Sequence, residues 1–164
     1  MFPTIETERL LLCEFTTRDA FELTRLYNNP EIQKYQSKHY YSDLEIWNYI
    51  QNSKALFRNK EKIMWKMVYK SKFEFIGIRI AYFDNPRTVE IQGDTNPNYW
   101  HQGLTREAYS SIIEYLKSIN VETIISKIDE RNHRAINLVS ALNFTKYDDV
   151  PNGDYQMNYY SLNL

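Results

Sequence analysis

Between residues 90 and 108 the chain reads EIQGDTNPNYWHQGLTREA. An apolar, β-branched stretch gives way to a proline, then to a turn closed by Gly103. A run follows in which Leu104, Ala108, Ile112, Leu116 and Ile119 recur every three or four residues. This order predicts a strand, a turn and an amphipathic helix. A helix N-terminus leaves about four backbone N–H groups unpaired and carries roughly half a positive charge. Anions bind there, phosphates above all, without needing a lysine. Gly103 lets backbone amides approach a diphosphate with no Cβ in the way, although a plain turn glycine reads the same. Glu90 and Asp94 stand four residues apart, on one face of a regular strand. A half-buried carboxylate with a raised pKa is suited to taking a proton from an amine. Glu90 is either such a base or a strand-edge acid paired with Arg or Lys. Asp94 is a second candidate, or a solvated acid at a loop edge.

The elements around this segment follow from spacing. Residues 7–15 read as a strand, and Thr16-Thr17-Arg18-Asp19 offers caps for a helix through Ala20, Phe21, Leu23, Leu26 and Tyr27 that stops at Asn28-Asn29-Pro30. Residues 31–41 are polar and tyrosine-bearing, a loop or broken turn. Ser42-Asp43-Leu44-Glu45 predicts a capping box and a second helix. Residues 63–69, 74–83 and 89–95 read as three strands of a meander, with Gly77 marking a close backbone approach or bulge. After the helix from 104 come a strand at 121–128, a helix at 132–142 and two strands within 144–162, parted by Pro151-Asn152-Gly153-Asp154. The fold class is α+β, one domain over residues 1–164, with a mixed, mainly antiparallel sheet flanked by about four helices. A parallel pair and a ligand crevice are expected within residues 90–128.

Composition narrows the functions open to such a domain. The chain has 164 residues, a formal net charge of -1 and 14 tyrosines. That balance gives no electrostatic footprint for nucleic acid or an anionic membrane. The apolar run at residues 10–13 is far too short to span a bilayer. The first residues show no secretory signal, so the expected location is cytoplasmic. Cys13 is the only cysteine, which excludes an intramolecular disulfide and a Cys-built zinc site. His39, His101 and His133 are too scattered for metal-ligand spacing, so no metal is expected.

Glu90, Ile91, Pro97, Tyr99, Trp100, Gly103, Glu107 and Ala108 fall without a gap on the pattern A-E-I-G-Y-x-L-x-P-x-Y-W-G-K-G-Y-A-T-E-A. The segment thereby resembles the cofactor loop of the GNAT acyl-CoA N-acyltransferases, in particular the branch of ribosomal-protein alanine N-acetyltransferases. Thr7-Glu8-Arg9-Leu10-Leu11-Leu12 resembles that branch's opening T-x-R-L-x-L strand, and Phe75-Ile76-Gly77 its central F-I-G. Asn132, Ala135, Leu142 and Phe144 resemble its late N-x-x-A/S helix. The sequence departs from the pattern at several points. His101 replaces a frequent glycine, Thr105 stands where Gly or Ala is usual, Gln92-Gly93 replaces Gly-Tyr, and Asn143 replaces a glycine.

The resemblance implies transfer of an acetyl group from acetyl-CoA, as co-substrate, to a primary amine in a ternary complex. The acceptor is a protein N-terminus or a small amine, and a homodimer is compatible with the branch. It assigns Glu90 as base and a backbone N–H within residues 91–95 as oxyanion donor. Cofactor contacts fall to Thr95, His101, Gln102, Gly103, Leu104, Thr105, Arg106 and Asn132. Asn132 is also a catalytic candidate, holding the pantetheine arm or a water, and serves equally as a plain helix cap. The usual proton donors to the leaving thiolate are missing, since those positions hold Ala135 and Val139; Ser140, another tyrosine or water would have to serve. Tyr35, His39, Tyr40, Tyr41 and Asp43 form the expected acceptor entrance. The altered loop and the missing donor leave a second reading, an acyl-CoA-binding interaction module with weakened catalysis. A nucleotide site is disfavoured because neither G-x-x-x-x-G-K-[ST] nor G-x-G-x-x-G occurs.

Overall fold

A computed structural model describes residues 1–36 and 38–164. The strand expected over residues 7–15 starts later, as β2 (Leu10–Glu14), and a two-residue strand, β1 (Ile5–Glu6), precedes it. The Thr7 N–H closes the turn between them onto the Leu10 carbonyl. A single 3-10 turn, closed by the Thr16 N–H and hydroxyl donating to Asp19 Oδ2, leads into α1 (Ala20–Tyr27). The stretch expected to be a loop contains one helical turn, α2 (Pro30–Gln33), started by Pro30 and by the Asn29 side chain, which accepts from Glu31 N–H. Residue 37, in the same stretch, lies outside the described residues. The Ser42–Glu45 box opens α3 (Asp43–Arg58).

The sheet is then built in order: β3 (Lys62–Tyr69), β4 (Glu74–Asn85) and β5 (Thr88–Gln92). After a 3-10 turn at Pro97–Tyr99 come α4 (Leu104–Ser118), β6 (Thr123–Asp129), α5 (His133–Ala141), β7 (Thr145–Asn152) and β8 (Tyr155–Asn163). One eight-stranded sheet runs β1-β2-β3-β4-β5-β6-β8-β7. All neighbours are antiparallel except β5 and β6, which pair in parallel through Thr88–Thr123, Val89–Ile124 and Glu90–Ile125. The parallel pair falls where the strand–helix–strand unit predicted it, since α4 supplies the crossover.

Side chains alternate across the sheet, so two cores form. Ile78 and Ile80 of β4 pack with Leu23, Leu26, Ile46 and Ile50 of α1 and α3. Val89 and Ile91 of β5 pack with Leu104, Ala108, Ile112 and Leu116 of α4 on the other face. Among the described residues no helix is long and apolar enough to cross a membrane.

Candidate active site

The last paired residue of β5 against β6 is Glu90; beyond it the two strands part, while β5 keeps its register with β4. Asp94 and Ile78 exchange both backbone hydrogen bonds, N–H to O at 3.1 and 2.9 Å. Antiparallel pairing alternates, so the N–H groups of Gly93 and Thr95 turn away from β4 toward the gap left by β6. Neither has a backbone acceptor among the described residues. A cavity of about 570 Å³ opens at this split. Gln92, Gly93 and Asp94 line it from β5, Lys127 to Asp129 from β6, and Asn132 and Arg134 from the start of α5. Tyr27, Tyr35, Tyr41 and Tyr49 close its far side.

Asp94 is half-buried in this cavity, and Gln36 Nε2 donates to both its carboxylate oxygens at 3.0 Å. Burial pushes the Asp94 carboxyl above its ordinary value, in spite of Gln36 and the nearby Arg79 and Arg134 charges. Glu90 sits differently. Its carboxylate accepts an ion pair from Lys127 Nζ at 2.6 Å, and that hydrogen bond raises the Lys127 pKa. Glu90 lines a separate groove with Lys62, Tyr82 and Asp84, of which Tyr82 also lines the cavity. Asn132 lines the cavity and caps α5, its Oδ1 accepting from Ala135 N–H at 3.2 Å.

The cofactor-turn candidates cluster at the N-terminus of α4. Gly103 is the N-cap, in the left-handed region at φ 75°, with no side-chain cap present. Its carbonyl receives the Glu107 N–H at 3.0 Å, so the N–H groups of Leu104, Thr105 and Arg106 precede the first helical bond. His101, also left-handed at φ 61°, and Gln102 are exposed, and Leu104 is buried in the core. Arg106 is exposed and reaches the Ala141 carbonyl at 3.4 Å. Thr95 and Thr105 turn inward: their hydroxyl oxygens lie 2.9 Å apart, joining the strand end to the first turn of α4. Trp100 pins the same strand end, donating from Nε1 to the Thr95 carbonyl at 2.7 Å, and the Arg134 guanidinium stacks on its ring at 3.2 Å.

The turn between β1 and β2 holds this segment in place. Arg9 Nε donates to Glu107 Oε2 at 2.7 Å and Arg9 Nη1 donates to the Gln102 carbonyl at 2.9 Å, while Thr7 Oγ1 donates to Glu107 Oε1 at 2.6 Å. Of the expected entrance residues, Tyr35 and Tyr41 line the cavity; Tyr40 is 81% exposed and Asp43 borders a different groove. His39 pairs with Glu45 at 3.1 Å. On α5, Val139 is buried, Ala135 packs on the core and Ser140 faces solvent. Sequence reasoning missed Gln36, Arg134 and Arg79. The last had one visible signal, an arginine inside the apolar run EFIGIRIAYF. Among the described residues no group of three or more His, Cys, Asp or Glu is placed to hold a metal.

The parallel strands of the mixed sheet part beside an uncapped helix N-terminus, so free strand amides and an anion-binding helix start face one cavity. The chain belongs to the family of the acetyltransferase (GNAT) domain, whose model matches residues 9–145, and it is an acetyl-CoA-dependent N-acetyltransferase. Its relatives include the uncharacterized N-acetyltransferase p20 of Bacillus licheniformis, 29% identical over 87% of this chain and 83% of that one. The uncharacterized N-acetyltransferase YoaA of Bacillus subtilis (strain 168) is 27% identical over 89% and 85%. Among solved structures, the ribosomal L7/L12 alpha-N-protein acetyltransferase RimL in complex with coenzyme A has the same fold, with a TM-score of 0.88, 15% identity and coverage of 99% and 98%.

Proposed function

We propose that this enzyme acetylates a primary amine within a ternary complex, with Asp94 as the base and the backbone amides of the parted strand as oxyanion donors. The amine nitrogen attacks the thioester carbonyl carbon, the C–S bond breaks, and CoA leaves as a thiolate that takes up a proton. An ammonium has no lone pair, so the acceptor must first give a proton to a carboxylate. Asp94 supports that role better than Glu90: it faces the cavity with a raised pKa, whereas Glu90 is occupied by Lys127. The Gly93 and Thr95 N–H groups point where a developing oxyanion needs donors. The free amides of residues 104–106, His101 and Gln102 suit the cofactor diphosphate, and Asn132 suits the pantetheine arm or a water at the cavity wall. Most of the acceleration then comes from holding the two substrates together.

The observation that carries this reading is the Thr95–Thr105 contact, because it sets the anion-binding helix start beside the strand with free amides. The acceptor is a peptide N-terminus, in line with the RimL neighbour's name, entering between Tyr35 and Tyr41. The test is acetyl transfer from acetyl-CoA, followed by mass spectrometry, to peptides with free N-termini and to small diamines. Thermal melting with acetyl-CoA, CoA and ATP runs alongside. Saturating CoA species stabilise by about 2–3 kcal/mol and ATP does not. No shift with either CoA species and no acetylated peptide would sink the reading.

A further inference from the structure

Arg79 lies in the middle of β4 and is 1% exposed, yet among the described residues no carboxylate forms an ion pair with it. A guanidinium stays charged even when buried, and burying it without a counter-charge is costly. Its contacts show what it holds. Nη1 donates to the Ile78 carbonyl at 2.5 Å and the Asp94 carbonyl at 3.0 Å, and Nη2 donates to Thr95 Oγ1 at 2.5 Å. Its plane packs 5.2 Å from the Tyr109 ring, and Nε has no partner among the described residues.

The space it fills is the one the chain leaves at residue 93. A Cβ on Gly93 would run into the Ile78 carbonyl and stand 2.9 Å from Arg79 Nη1, on a backbone at φ 153°. The missing Cβ at residue 93 therefore leaves room for the Arg79 guanidinium. The Asp94–Thr95 peptide is planar, so holding its carbonyl toward β4 turns its N–H toward the gap. Through Thr95 Oγ1 and Thr105 Oγ1 the same clamp reaches the first turn of α4.

We propose that Arg79 is a positioning residue for acetyl transfer, clamping the Asp94–Thr95 peptide so that the Thr95 N–H stays aimed at the thioester oxygen. The role rests on the reading above. Arg79 is also one of the groups facing Asp94, with Arg134 of α5, Tyr27 of α1, Tyr109 of α4 and the Gln36 amide. Loss of its charge therefore raises the pKa of the base, whereas a lysine keeps the charge and loses the fork.

The experiment compares wild type, Arg79→Lys, Arg79→Met and Thr95→Val, with kcat expressed per CoA-binding site and amide exchange measured without cofactor at Ile78, whose N–H donates to the clamped Asp94 carbonyl. All three variants are expected to bind acetyl-CoA while kcat falls about 10- to 100-fold and the Ile78 amide exchanges faster. The acid limb of kcat/KM moves to higher pH in Arg79→Met and stays in place in Arg79→Lys. Wild-type kcat per binding site with unchanged Ile78 exchange overturns the proposal, as does a fall in activity that only tracks lost binding sites. Where the Arg79 variants do not fold, Thr95→Val decides alone, since it keeps side-chain volume and removes the acceptor. A wild type that neither binds acetyl-CoA nor turns over defeats the reading above instead, and the exchange measurement still tests the clamp.

Discussion

Arg9 Nε lies 2.7 Å from Glu107 Oε2, tying the start of the chain to the helix that bears the cofactor turn. Glu107 also accepts from the Arg9 backbone N–H at 2.9 Å and from Thr7 Oγ1, so one carboxylate organises three donors from the turn between β1 and β2. Sequence separation is 98 residues, which explains why the motif reads locally as nothing more than a strand.

Glu107→Gln is expected to lower stability near neutral pH by about 1–2 kcal/mol, a figure discounted because Arg9 is 38% exposed. Burial pushes the Glu107 carboxyl up, but the Thr7 and Arg9 hydrogen bonds and the Arg9 charge outweigh it and leave it lowered. A lowered folded pKa gives stability above the unfolded value of 4.5 that is lost as pH falls through the folded one. Urea midpoints of wild type and variant should therefore converge in acid. The same variant should raise KM for acetyl-CoA more than it lowers kcat.

Asp94→Asn is expected to cut turnover by about 100-fold or more while the melting shift with acetyl-CoA persists. Glu90→Gln, which frees Lys127, should cost less than about tenfold. With burial raising the Asp94 pKa, wild-type kcat/KM should fall on acidification at a pH above the ordinary 3.8. Equal losses in the two variants would refute the division of labour.

Gly93→Ala puts a Cβ against the Ile78 carbonyl and Arg79. The expected cost is about 3 kcal/mol or more, seen as a drop in Tm of roughly 5–10 °C. Activity per folded molecule should fall as well, because the strand carrying the free amides has to shift.

Lys62 is 2% exposed; it donates to Tyr49 Oη at 3.0 Å and lies 4.1 Å from that ring's centroid. Burial pushes its pKa down to about 8 from 10.5. Across that window the unfolded chain binds more protons than the folded one, so stability rises with pH. Relative to Lys62→Met, wild type should gain about 1–3 kcal/mol between neutral pH and about pH 10, read from urea unfolding curves.

Local patterns determined the elements. The Thr16–Asp19 caps, the Ser42–Glu45 box, the period of Leu104 to Leu116 and the Gly103 turn are all short-range signals, and each stands in the structure where its residues put it. The family was legible too, because the residues from Glu90 to Ala108 are contiguous. The one turn of α2 escaped, since four residues carry no period.

The tertiary structure decided which polar residues share the cavity. Glu90 in β5 and Asp94 just past its end share a face by spacing, and the sequence put Glu90 first as the base with Asp94 second. The distinction comes from β6, whose Lys127 meets Glu90 before the strands part, and, beyond that point, from Gln36, which bonds Asp94, and from the nearby Arg134 charge. Thr105 suited a phosphate by its position alone, yet its hydroxyl is spent on Thr95 and, through it, on Arg79. Spacing along a chain fixes which face a side chain takes; only packing brings up the partner that sets its charge and its work.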